Sequence, residues 1–160
     1  MKYIEKTGDL FEEKDCFYAH CISKDFIMKT GITAKFDAKY NIAEKLKNRT
    51  ADFPKFLRHY CIQIDNVFNL IVKENHFEKP TYKSLKRSLK DMKKLIISKD
   101  RFNEFYKKNN IDEFIDDRAK RLVIPLLGCG YDRLRWEKVS EILKEIFNNM
   151  DIEIIVCTLK

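Results

Sequence analysis

At 160 residues, 44% hydrophobic and 36% charged, the chain is long and apolar enough for one domain with its own core, which excludes wholesale disorder. Its 32 basic and 25 acidic residues give a net charge of +7, which favours anionic partners, although the excess is spread along the chain and solvated lysine-rich faces explain it as well. No apolar run has the length of a membrane span, the N-terminus does not read as a signal peptide, and five cysteines without paired spacing argue against a disulfide framework, so a reducing cytoplasm is expected.

In chain order, residues 2–6 read as a short strand that runs into TGDLF at 7–11. A second strand over 16–22 opens a polar loop containing Gly31, followed by a weak helix at 34–48. Residues 58–65 and 67–73 read as two strands joined by a tight turn at Asp65 and Asn66. The segment 80–98 has a helical stripe of Leu85, Leu89, Met92 and Ile96, with lysines off the stripe and Thr81 marking its start. A charged helix at 101–117 is expected at the periphery, then a strand at 121–127. Trp136, Val139, Leu143, Ile146 and Phe147 recur at helical spacing within 134–148, and a closing strand covers 152–157. This alternation predicts an α/β fold, a mixed sheet covered by helices on both faces. Nothing divides the chain, so a single domain over 1–160 is expected, with 98–120 as a candidate charged insertion.

Such sheets bind ligands where strands end and loops lead into helices. The chain has four glycines, Gly8, Gly31, Gly128 and Gly130, all in three segments that follow strands, which argues for one shared cleft. In GCGYD, residues 128–132, glycines let the backbone approach a ligand, and a following helix adds partial positive charge, which together suit a phosphate or pyrophosphate. A plain tight turn reads equally well there, because a lone G-x-G is a weak pattern. Cys129 between the glycines has two readings, a nucleophile near a helix start or a small spacer. The three histidines have no zinc-like spacing, and neither a Walker motif nor G-x-S-x-G is present. Phe26, Met28 and Phe36 are expected in the core.

TGDLF (7–11), AHCIS (19–23), KPTY (79–82), GCGYDRLRWEKVS (128–140) and the closing IEIIVCTL (152–159) occur in this order and span nearly the whole chain. Together they resemble the macrodomains, in the branch of the terminal ADP-ribose protein glycohydrolases and their DNA-directed antitoxin relatives. The resemblance implies a three-layer α/β/α sandwich with a central mixed sheet and a cleft for ADP-ribose. It implies that Asp9 and Leu10 meet the adenine, with Leu159 packed nearby. Backbone amides around Gly128, Cys129, Gly130 and Tyr131 would hold the pyrophosphate. The loop of Ser23, Thr30 and Gly31 would close over the phosphates and the distal ribose, with His20 near its base. The catalytic pair it implies is Lys73, at the end of FNLIVK, and Asp132. On its own, Lys73 reads as a solvated strand-end lysine and Asp132 as a helix N-cap, a role compatible with the catalytic one. A lysine attacks only when unprotonated, and a neighbouring carboxylate favours its ammonium form, so Asp132 makes better sense as a proton carrier. Lys29 and Thr30 in MKTGI depart from the smaller residues of relatives, and 98–120 is longer than the branch leads one to expect.

The resemblance implies a hydrolase that removes ADP-ribose from acidic side chains of proteins, with O-acetyl-ADP-ribose as a further substrate. The alternatives are the same chemistry on ADP-ribosylated DNA bases, or a non-catalytic ADP-ribose reader. Basic residues clustered on the cleft rim favour DNA and a neutral rim favours protein. Neither a metal nor a redox cofactor is expected, nor a membrane partner, and the protein is expected to be a monomer.

Overall fold

The computed structural model describes residues 1–130 and 132–159. Six strands form one sheet: β1 (Lys2–Thr7), β2 (Phe17–Ser23), β3 (Cys61–Ile64), β4 (Val67–Lys73), β5 (Arg121–Ile124) and β6 (Glu153–Thr158). Their spatial order is β1-β6-β5-β2-β4-β3, and every neighbouring pair is parallel except β3 with β4. The mixed sheet follows from two kinds of connection. Asp65, in a left-handed conformation at φ 50°, makes the two-residue turn that sets β3 antiparallel to β4, while the helical crossovers set the other strands parallel.

Helices α1 (Gly31–Tyr40) and α2 (Ile42–Asp52) lie on one face, and α3 (Tyr82–Lys108) and α4 (Trp136–Phe147) on the other. Alternation along β4 feeds both layers. Phe68, Leu70 and Val72 pack with Leu85, Leu89, Met92 and Ile96 of α3, and with Val139 and Leu143 of α4. Val67 and Ile71 pack with Phe36, Ile42 and Leu46 under α1 and α2. This is the expected α/β/α sandwich. The side chains in both clusters are nearly all buried, so the sheet is hydrophobic on both sides. Among the described residues, no helix is long and apolar enough to cross a membrane.

Four elements differ from the sequence expectation. The helix predicted at 34–48 is two helices, because Asn41 adopts φ 54° and its N–H closes α1 on the Asp37 carbonyl; asparagine tolerates that left-handed region better than most residues. Residues 101–108 are not the start of a separate charged helix but the last turns of α3, which begins at the predicted Thr81 cap with a reciprocal Thr81–Ser84 capping box. Between α3 and β5 lie the short 3₁₀ turns Asp112–Phe114 and Arg118–Lys120. Finally, 58–65 shortens to Cys61–Ile64 behind a 3₁₀ turn, and 121–127 stops at Ile124 because Pro125 has no N–H to give the ladder.

The segment 98–120 is tied down by Asn103, whose side chain donates to the Asp116 carbonyl at 2.8 Å and accepts from the Asp116 N–H at 3.0 Å. Lys99 and Arg118 reach over the ring of Phe17, the first residue of β2. The segment therefore covers the N-terminal end of that strand, opposite the end where loops leave it for the site described next.

Candidate functional site

At the C-terminal ends of β2, β4, β5 and β6, four loops surround a cleft of about 760 Å³. That volume is within the range of sites that hold a nucleotide-sized ligand. Leu10, Ser23, Thr30, Gly31, Gly128, Cys129, Gly130 and Leu159 all line it, and so do Lys73 and Asp132. None of the described residues of 98–120 does, so that segment is not a lid over this cleft.

Lys73 is the last residue of β4, and the sheet pairing slips just before it. Ile22 of β2 faces Ile71, but Ser23 faces Lys73, leaving Val72 as an extra residue on β4. A bulge of this kind re-aims the strand end. Nζ of Lys73 donates to Oδ1 of Asp132 at 2.7 Å, and the two side chains are only 14% and 19% exposed. Residues far apart in sequence thus meet as one partly buried ion pair inside the cleft.

The loop around the glycines is held by its own backbone. Cys129 donates to the Leu126 carbonyl at 3.1 Å and Leu134 to the Gly128 carbonyl at 2.7 Å. Gly128 has φ 70°, and a Cβ there would lie 2.7 Å from Cδ1 of Leu134, so the turn requires glycine. At Gly130 φ is not positive and an added Cβ meets nothing within 4 Å. Gly128→Ala is therefore expected to lower the unfolding free energy by about 1–3 kcal/mol. Gly130→Ala is expected to change it by less than about 0.5 kcal/mol in the same denaturant titration. Equal losses in the two variants would contradict this account of the loop.

Several expected ligand contacts are placed differently from the sequence reading. The Cys129 N–H is engaged by the Leu126 carbonyl, so one of the implied pyrophosphate amides already has a partner inside the protein. Helix α4 starts only at Trp136, which puts its N-terminus several residues beyond the glycines. Tyr131 lies outside the described residues. Gly8 does not line the cleft; its N–H extends the β1–β6 pairing by donating to the Thr158 carbonyl, so three of the four glycines share the site.

Asp9 is beside the cleft rather than on its wall. Its carboxylate accepts from the Phe11 N–H at 3.0 Å and caps the turn Leu10–Glu12, which leaves Leu10 as the lining residue. His20 is fully buried behind the cleft, its Nε2 2.6 Å from Oδ1 of Asn69 and its ring stacked on Phe36. Burial pushes the Cys129 thiol up to about 11, which leaves little thiolate at neutral pH and favours the spacer reading. Phe26, Met28 and Phe36 are buried as expected, Met28 also forming part of the cleft wall.

Sequence reasoning missed the loop after β4. His76, Phe77, Glu78 and Lys79 all line the cleft, Phe77 with 76% of its surface exposed. Their signals in the sequence were their position directly after Lys73 and, for Lys79, its place in KPTY. The charged groups on the wall are Lys29, Lys73, Lys79, Glu78 and Asp132, and no arginine is among the described lining residues.

No protein-family model matches the chain. It is 34% identical to the human ADP-ribose glycohydrolase OARD1 over 155 residues, 95% of this chain and 88% of that protein. Among solved structures, the macrodomain of Mycobacterium tuberculosis DarG superposes with a TM-score of 0.70 at 15% identity, covering 97% of this chain and 96% of that one. Thermosipho africanus DarTG, solved in complex with ADP-ribose, superposes with a TM-score of 0.67 at 16% identity over 98% of this chain and 41% of that one. The fold and the near full-length likeness to OARD1 agree: the chain belongs to the macrodomain family, as a homologue of the ADP-ribose glycohydrolase OARD1.

Proposed function

We propose that the protein binds ADP-ribose in this cleft and hydrolyses the bond between its distal ribose and an acidic side chain of a modified protein. The observation that carries the reading is the 2.7 Å contact between Lys73 and Asp132 within the cleft wall. A reader needs no such pair, whereas a lysine nucleophile needs a group to take its proton. The likeness to OARD1, an ADP-ribose glycohydrolase, supports the same reaction.

The chemistry runs through these two side chains. Asp132 takes a proton from Nζ, and the freed amine attacks the anomeric carbon of the distal ribose. The bond from that carbon to the ester oxygen breaks, and the modified side chain leaves as a carboxylate. Opening of the ribose ring gives an imine to Lys73, which water then hydrolyses, Asp132 assisting by carrying the proton. Partial burial of the pair keeps the exchange short and shields it from bulk water. Leu159 follows β6 and Lys73 ends β4, with β5 and β2 between them in the sheet, so apolar Leu10 and Leu159 would take the adenine and the region next to Lys73 the leaving group. Ser23, Thr30, Gly31 and the glycine loop also line the cleft, and the phosphates would run along them.

With Lys73 and Asp132 neutralising each other, the wall retains Lys29 and Lys79 against Glu78. So small a basic excess favours a protein substrate over a polyanionic strand. The test offers the purified protein a glutamate-linked ADP-ribosyl peptide and, separately, ADP-ribosylated single-stranded DNA, and measures free ADP-ribose. Faster release from the peptide is expected. Release from DNA alone would reassign the substrate, and release from neither, with tight ADP-ribose binding, would make the protein a reader. O-acetyl-ADP-ribose has the same carboxylate leaving group and serves as a small-molecule substrate in the same assay.

A further inference from the structure

Asp25 does not line the cleft, yet its carboxylate fastens two of the loops that do. Oδ1 accepts from the hydroxyl of Ser23, the last residue of β2, at 2.5 Å, and from the Ile27 N–H, in the loop that follows, at 3.0 Å. Oδ2 accepts from the His76 N–H at 2.8 Å and lies 2.9 Å from His76 Nδ1, both in the loop after β4. Around this carboxylate the backbone carries the β2–β4 pairing onward, Lys24 donating to the Lys73 carbonyl at 2.9 Å and Asp25 to that of Glu74 at 3.2 Å. Burial opposes charge on Asp25, but these donors outweigh it and hold its carboxyl below the usual range, so the clamp stays ionised at neutral pH.

The strand end gripped in this way is the one that carries Lys73, directly after the bulge at Val72. The other gripped loop leads to Thr30 and Gly31, which also line the cleft. A nucleophile placed even about 1 Å away from its target loses much of its rate, so a device that holds a strand end beyond its bulge acts on the reaction itself. We propose that Asp25 is a positioning residue for the Lys73 reaction, acting through Ser23 and His76 to fix the end of β4 against the loop after β2. This inference rests on the hydrolase reading given above.

The test uses Asp25→Asn, which keeps the size of the side chain but cannot offer acceptor oxygens to both loops. Two quantities are followed in the full chain: kcat on the glutamate-linked peptide, and the rate at which borohydride traps ADP-ribose on Lys73. Trapping reduces the imine formed from the ribose aldehyde and the lysine amine, with loss of one water, and peptide mapping by mass spectrometry identifies the site. Asp25→Asn is expected to lower both rates by about tenfold or more, with the Kd for ADP-ribose changed by less than about threefold. Wild-type kcat and trapping in Asp25→Asn would overturn the inference while leaving the hydrolase reading intact. Rates that fall only with the folded fraction, tracked by thermal unfolding, would also overturn it, since that is the signature of a purely structural role. If Asp25→Asn does not fold, Ser23→Ala combined with His76→Ala removes both side-chain partners and must reproduce the slowed trapping. Absence of any adduct on Lys73 in the wild-type protein, with the peptide left intact, would remove the hydrolase reading and the inference with it.

Discussion

Lys73→Ala is expected to lower kcat for release of ADP-ribose from a glutamate-linked peptide by about 10³-fold or more, because it removes the attacking atom rather than a contributor to binding. The Kd for ADP-ribose should move by less than about fivefold, since Lys73 is one lining residue among many and its charge in the free protein is already matched by Asp132. Lys73→Arg sharpens the result. Arginine keeps the positive charge next to Asp132 but does not give up its proton, so it preserves an electrostatic role and abolishes a nucleophilic one. Both variants should therefore be inactive and retain binding by calorimetry. Activity in Lys73→Arg with none in Lys73→Ala would show that the charge, not the amine, is required. Undiminished turnover in Lys73→Ala would sink the mechanism outright.

The placement of Lys73 and Asp132 was legible in the sequence for a physical reason, whereas their catalytic pairing was implied only by the resemblance to the macrodomains. Val67–Lys73 reads as a strand because it is a short run of apolar and β-branched residues, and its charged end then has to emerge at the strand's C-terminal edge. Asp132 follows glycines that end the next apolar run, which places it at the same edge of a parallel sheet. The layers were legible for the same reason: stripes such as Leu85, Leu89, Met92 and Ile96 have a period that only a core-facing helix satisfies.

What stayed hidden depends on pairing rather than on pattern. Asp25 looks like any aspartate in a polar loop until β2 and β4 lie side by side and bring His76, 51 residues further on, against its carboxylate. The continuation of α3 to Lys108 was obscured because Phe102 and Phe105 there are exposed, and Tyr106 packs against them and Phe114, so no stripe faces the core. The engagement of the Cys129 amide by the Leu126 carbonyl is likewise a property of the folded loop, since glycine spacing states only that the backbone can turn. For Asp25 the deciding contact spans 51 residues, and local sequence carries no trace of it.

His20 shows how far such a contact can change a residue's role, and the second large effect is expected there. The ring is fully buried between β2, β4 and α1, with Nε2 donating to Oδ1 of Asn69 at 2.6 Å and Nδ1 3.3 Å from the Thr33 hydroxyl, which itself donates to the Cys21 carbonyl. Asn69, also fully buried, uses its amide N–H groups on the carbonyls of Ile62 and Val67, which leaves its oxygen as the acceptor and Nε2 of His20 as the proton-bearing nitrogen. Burial drives the imidazole's pKa down to about 4, the hydrogen bond to Asn69 opposing that shift only in part. In the unfolded chain the same ring titrates near 6.5. Between those values the unfolded state binds a proton that the folded state refuses, so stability falls as pH is lowered from about 6.5 to about 4 and falls no further on this account below that. The shift corresponds to about 3 kcal/mol. His20→Gln supplies an amide that can donate to Asn69 but cannot titrate. The unfolding free energy of the wild type minus that of His20→Gln, measured by denaturant titration at intervals from pH 7.5 to pH 4, is therefore expected to shrink by about 3 kcal/mol on acidification. A difference independent of pH would mean that the ring does not remain neutral inside the fold. His20→Ala at pH 7 should cost about 3–5 kcal/mol, from the cavity against Phe36 and the unpaired Asn69 oxygen, and a loss of ADP-ribose affinity without any loss of stability would return His20 to the ligand site.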